Sequence, residues 1–229
     1  MAKVSIAMLE KAAQVPSPEG TGDVESYALF DGPNQPIHLI VHRLRPGSSF
    51  KLVGENSDLA LFVWKGSIEV GGATLTAKSS AIVEHGASLR VRAGEAGTDL
   101  LAFGVSKMDE QAPRGRHVHI LPSERVPRTE SLGGSDGVGG ALHADARCPT
   151  CNVWLHENSY VMADKETAVH SHSEDEVIFV HSGSVRLGNR VYGPGTALAV
   201  AANTKYGFFR AGRSWVRQFP GLFSDLHIR

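Results

Sequence analysis

"HSHSEDEVIFVHSG", residues 170–183, sets two imidazoles and three carboxylates directly ahead of an apolar run. Such groups are costly to bury unless something pairs with them. A bound metal ion is one such partner; a solvated polar turn is the other reading. His170 and His172 are two apart, so on a strand they project from one face. Ser173-Glu174-Asp175 reads as a polar turn, Glu176 opens the strand VIFVHS, and a hairpin would return Glu176 beside the two histidines. Two imidazoles and one carboxylate meeting in this way make a facial metal site with open positions. His181 alternates with Ile178 and Val180 and points away from that face.

Outward from this stretch the dominant pattern is strand. HLIVHRL, LALFVW, SLRVRA, VIFVHS and ALAVAA are short apolar or alternating runs, separated by Gly, Pro, Asn, Asp and Ser. Helical spacing is convincing only near residues 4–14, where Ile6, Leu9 and Ala13 share a face. RTESLGGSDGVGG reads as a mobile loop. The chain also repeats itself. LFVWKGSIEVG (61–71) lies over IFVHSGSVRLG (178–188), with Phe62, Val63, Gly66, Ser67 and Gly71 matching Phe179, Val180, Gly183, Ser184 and Gly188. Continued upstream without a gap, the residues opposite His170, His172 and Glu176 are Val53, Glu55 and Leu59, so the first copy lacks the metal donors.

The 229 residues carry a net charge of −1 and are 41% hydrophobic, which suits one large or two small domains with a sizeable core. Balanced charge excludes the basic stripe of a nucleic-acid binder. No apolar run approaches a membrane span, and the first residues lack a secretory signal, so a cytoplasmic protein is expected. The two cysteines, Cys148 and Cys151, form one CPTC motif. It reads as incidental or structural thiols, with half of a zinc site as the rival and His117 and His119 the tempting further donors. His38 and His42 read as ordinary surface or partly buried histidines, Trp154 and Phe179 as core, and Met162 and Leu198 as interior.

His170, His172, Glu176 and Gly183 also fit every position of the first cupin signature: His, any residue, His, three residues, Glu, six residues, Gly. The second signature is matched in part by YGPGTALAVAANTKYGFF, where Tyr206 stands in place of the expected histidine. The chain thus resembles a two-domain cupin. The resemblance implies an all-β fold of two tandem jelly-roll barrels, at 25–110 and 148–229. Residues 1–24 form an N-terminal segment with a short helix, and 111–147 a linker. It implies one divalent metal per chain, held in the C-terminal barrel by His170, His172 and Glu176. Iron is favoured, with manganese, zinc, nickel or copper as alternatives.

The expected function is a metal-dependent enzyme acting on a small molecule, with oxygenation at non-haem iron as the leading reaction. Tyr206 is the catalytic candidate, as a proton or hydrogen-bond donor, and ligation or simple packing are its other readings. Lyase, isomerase or decarboxylase chemistry at manganese or zinc is an alternative, as is a non-enzymatic small-ligand sensor. No nucleic-acid or membrane partner is expected. A homodimer is, because Val177, Phe179 and His181 present an outward face that the barrel interior cannot cover; the sister domain is its other possible cover.

Overall fold

The computed structural model describes residues 4–32, 35, 37–55, 57–105, 115–132, 135–145, 147–151, 153–160, 169–207, 209–210 and 223–228. Two compact units divide them. The N-terminal unit comprises 11–126 and 143–154. The C-terminal unit comprises 1–10, 127–142 and 155–229. Both are built almost wholly of strands, as the turn-punctuated apolar runs predict.

The N-terminal unit holds a ten-stranded sheet. Its strands are β2 (Ala13–Val15), β3 (Gly20–Thr21), β4 (Val24–Phe30), β5 (Ile37–Leu44), β6 (Ser49–Val53), β7 (Leu59–Val70), β8 (Ala73–Thr76), β9 (Ser80–Val83), β10 (Ser88–Val105) and β11 (Val118–Leu121). Alternation along them turns Phe50, Leu52, Leu61, Val63, Ile68, Leu75, Val83, Leu89, Val91 and Leu100 into one apolar core.

In the C-terminal unit a seven-stranded sheet runs β1-β18-β15-β20-β14-β13-β12. Its strands are β1 (Val4–Met8), β12 (Arg128–Leu132), β13 (Ser135–Ala144), β14 (Leu155–Tyr160), β15 (Glu176–Ser182), β18 (Thr196–Val200) and β20 (Phe223–Ile228). A three-stranded sheet joins β16 (Val185–Leu187) to β17 (Arg190–Tyr192) and β19 (Phe209–Arg210). Ile178, Val180, Leu198 and Val200 from the larger sheet pack with Val185 and Tyr192 from the smaller one, and Tyr206 joins the same cluster. No sheet closes into a barrel among the described residues.

Three expectations need correction. The N-terminal helix is not formed. Val4–Met8 is a strand, and only Leu9–Lys11 makes a 3-10 turn. Val4 and Ile6 are β-branched, and β18 offers an open edge that β1 pairs from Val4↔Val200 to Met8↔Thr196. The Gly- and Ser-rich stretch expected as a loop is instead the β12–β13 pair, joined at Arg128↔Ala141 and Thr129↔Gly140. Its backbone hydrogen bonds do not need the side chains that strand propensity counts. Trp154 is exposed rather than core. Met162 lies outside the described residues.

The sequence repeat is a repeat of backbone. Gly66 and Gly183 both take positive φ, 75° and 68°, and so do Gly71 and Gly188, Lys78 and Gly195, and Gly86 and Asn203. A side chain on Gly66 would run into the Gly97 carbonyl, so glycine is required there for space as well as for φ. Hydrogen bonds recur with the same offset. Lys78 N–H to Val63 O (2.7 Å) matches Gly195 N–H to Val180 O (2.9 Å), and Ala87 N–H to Glu84 O (2.8 Å) matches Thr204 N–H to Ala201 O (3.1 Å).

Candidate metal centre

The strand that follows the Gly-Pro-Gly turn assembles the site. β18 pairs with β15, Glu176 facing Val200. The chain turns at Ala202-Asn203, and Tyr206 then bridges back to His170 through Tyr206 N–H to His170 O (2.9 Å) and His170 N–H to Tyr206 O (3.0 Å). Asn203 N–H also donates to His172 O, at 2.7 Å. Histidines and glutamate are therefore brought together by a common neighbour, not by the direct hairpin that the spacing suggests.

The three acidic residues of the opening stretch part company. Glu174 is exposed. Asp175 accepts the Ala202 N–H at 2.9 Å and so fixes the turn. Glu176 is 1% exposed and faces inward. Its Oε2 accepts a hydrogen bond from the Tyr206 hydroxyl and lies 3.9 Å from His172 Nε2. The rings of His170 and His172 are 4.9 Å apart, and Tyr206 lies 4.6 Å from His170 and 6.1 Å from His172. All four residues named from sequence thus share one corner of the C-terminal unit, with the Tyr206 ring inside it.

Strand register adds two residues that sequence reasoning missed. Through β20, His156 lies level with Ile178 and Asn158 level with Val180. Cross-strand partners share a face, so both look toward the side of the sheet that carries Glu176. Both are buried, and Asn158 Oδ1 finds no hydrogen-bond partner among the described residues. The alternation in LHENSY was their only signal. On the opposite face His181 sits 3.3 Å from Glu157, which is also 3.6 Å from Arg128. Val177, Phe179 and His181, expected to face outward, are buried.

The equivalent corner of the N-terminal unit is apolar, and its register differs by one residue from the ungapped alignment. Leu89, the counterpart of Tyr206, pairs with Leu52. Leu52 and Gly54, rather than Val53 and Glu55, therefore stand where His170 and His172 stand. The first copy has one extra residue before Leu59, the counterpart of Glu176. Leu52, Leu59 and Leu89 pack into the core of that unit.

A second donor cluster lies in the N-terminal unit, near CPTC. Glu84, His119 and Cys148 bring their ligand atoms within 4.8 Å of one another. Glu84 is fully buried. Burial pushes its carboxyl up, but hydrogen bonds from His119, Thr150 and the His117 N–H outweigh this and hold it below the usual carboxylate range.

No family model and no curated protein sequence matches this chain. Solved structures do. A proposed glyoxylate-induced protein from Pseudomonas aeruginosa superposes with a TM-score of 0.78 at 12% identity, over 100% of this chain and 88% of that one. An oxalate decarboxylase from Lactobacillus farciminis, in complex with formate, gives 0.71 at 9%, over 97% and 85%. A proposed dioxygenase from Nostoc punctiforme gives 0.70 at 11%, over 100% and 83%. These are cupin-type proteins, and at such identities the likeness is one of fold. No helix among the described residues is long and apolar enough to cross a membrane.

Proposed function

We propose that this chain is a two-unit cupin and a metal-dependent enzyme acting on a small molecule, with one divalent ion at His170, His172 and Glu176. The observation that carries the reading is the Tyr206 hydroxyl on Glu176 Oε2, set against two imidazoles in a buried corner. The donor set fits the metal. Two neutral imidazoles and a carboxylate suit ferrous iron or manganese, and three protein donors leave positions for exogenous ligands. The bound ion would supply Lewis acidity and, as iron, one-electron chemistry with dioxygen.

The chain's own residues supply the rest. The backbone of His170 is held by its two bonds to Tyr206, and that of His172 by the bond from Asn203, so the main chain that carries both rings is placed before anything binds. Tyr206 holds a proton at its hydroxyl, shared with Glu176. Should Glu176 turn to the metal, that proton becomes available to a substrate atom in the same corner. Asn158, buried and facing the same side, offers an amide to a small polar ligand. Oxygenation at iron is the favoured reaction. Decarboxylation at manganese is the second reading, because a held proton is what a carbanion left by loss of carbon dioxide must collect.

The test is oxygen uptake and carbon dioxide release by iron- and manganese-loaded protein over a panel of small organic acids, with Tyr206→Phe beside the native chain. Tyr206→Phe is expected to keep the fold and most of the metal while lowering turnover by roughly a hundredfold. Unchanged turnover would reduce Tyr206 to packing, and lost metal would make it a ligand.

A further inference from the structure

The cluster at Glu84 has no part in the site above. A carboxylate with no exposure, on the wall of an apolar unit, is costly unless its neighbours compensate. Here they gather from two separate segments, 115–119 and 148–151. Glu84 follows β9. His119, on the adjoining β11, brings Nε2 to 2.7 Å from Glu84 Oε1. Thr150 Oγ1 donates to the same oxygen at 2.6 Å, and the His117 N–H donates to Oε2 at 2.9 Å. Gly115 lies so close that a Cβ there would strike both Glu84 Oε2 and His117.

The CPTC segment closes the group. Cys148 Sγ lies within 4.8 Å of the Glu84 and His119 donor atoms. Cys151 is disulfide-bonded to Cys148, with 5.7 Å between their Cα atoms, and its N–H donates to Cys148 Sγ at 3.2 Å. A half-buried disulfide needs neither an imidazole nor an ionised carboxylate beside it. Two sulfurs, one imidazole nitrogen and one carboxylate oxygen are instead the donor types of a closed tetrahedral zinc site. Zinc bonds of about 2.0–2.3 Å hold such donors roughly 3.3–3.8 Å apart, so small side-chain rotations suffice to draw this group together. The hydrogen bonds from Thr150, His117 and Cys151 would then orient the ligands from outside.

We infer that the reduced Cys148–Cys151 pair, together with His119 and Glu84, binds one zinc ion and ties the CPTC segment to β9 and β11. Reduction by a phosphine breaks the S–S bond; two electrons and two protons yield two thiols, and the phosphine leaves as its oxide, its oxygen taken from water. Zinc then displaces the thiol protons.

The chain has only these two cysteines, which gives a specific readout. The full chain, reduced with a phosphine, would be titrated with cobalt(II) and followed by the near-ultraviolet sulfur-to-cobalt charge-transfer band. Ions at His170, His172 and Glu176 cannot produce that band. In a His172→Ala background, which removes the competing centre, one equivalent of cobalt is expected to saturate it, and zinc to abolish it. His119→Ala and Glu84→Gln are each expected to weaken cobalt binding at least roughly tenfold. His119 is partly exposed, so its variant decides the matter even if Glu84→Gln does not fold. Absence of the band in the reduced chain would overturn the inference and leave a structural disulfide. So would a band whose affinity His119→Ala leaves unchanged.

Discussion

The two copies of the repeat share their turns and their hydrogen bonds but differ at one corner. In the C-terminal unit that corner is His170, Glu176 and Tyr206; in the N-terminal unit it is Leu52, Leu59 and Leu89. The backbone path is the same, down to the antiparallel pairing of Leu89 with Leu52 and of Tyr206 with His170. The fold therefore does not need the polar set. A buried carboxylate bonded to a phenol contributes less to stability than leucines of similar volume would, so its presence in one copy points to use.

That contrast is open to a direct exchange. Glu176→Leu combined with Tyr206→Leu gives the C-terminal corner the chemistry of the N-terminal one. Metal affinity is expected to fall by roughly a hundredfold or more, while the melting temperature stays level or rises. Cooperative unfolding together with metal titration would check both halves. A marked loss of stability would mean that the polar set is structural.

The reverse weakness is tested at Leu89. Truncation to Ala leaves a cavity in the core of the N-terminal unit and is expected to cost roughly 2–5 kcal/mol by denaturant unfolding, without changing metal affinity.

His42 sharpens the comparison by pH. It lies level with Val63 through Leu100, as Asn158 lies level with Val180 through Asp225. Burial lowers its pKa from 6.5 to about 4, and Ser26 bonds its Nδ1 at 2.8 Å. As pH falls below 6.5 the unfolded chain takes up the proton first. The stability tied to neutral His42 is therefore complete above pH 6.5 and is lost progressively down to pH 4, about 3 kcal/mol in all. His42→Asn, copying the other unit, should flatten this part of the stability profile. An unchanged acid slope would assign it to other groups.

The smallest effect concerns the matched turns. Gly71 and Gly188 take φ of 55° and 60°, and a Cβ at either would meet nothing within 4 Å. Ala at either is expected to cost about 1 kcal/mol, from backbone conformation alone. Unequal costs would show that the two turns are not equivalent.

Much of this was legible from residues. The strands, the repeat, His170, His172 and Glu176 follow from alternation, matched glycines and the spacing of 170–183, whereas Tyr206 was pointed out only by the resemblance to the second cupin signature. What was hidden depended on long-range pairing. The edge that recruits β1 exists only once β18 is in place. The extra residue before Leu59 shifts the first copy by one position, which shows in the pairing of Leu52 with Leu89 and not in the residue types. Glu84 meets His119 across 35 residues and Thr150 across 66, a distance over which no local pattern carries information.

Metal stoichiometry tests the central contrast most directly. In a Cys148→Ser/Cys151→Ser background, which excludes thiolate binding, the full chain would be titrated with manganese(II) and the free ion read by electron paramagnetic resonance. One ion per chain is expected, lost on His172→Ala with the fold retained. No ion, two ions, or one that persists in His172→Ala would contradict a single metal centre built on the C-terminal copy.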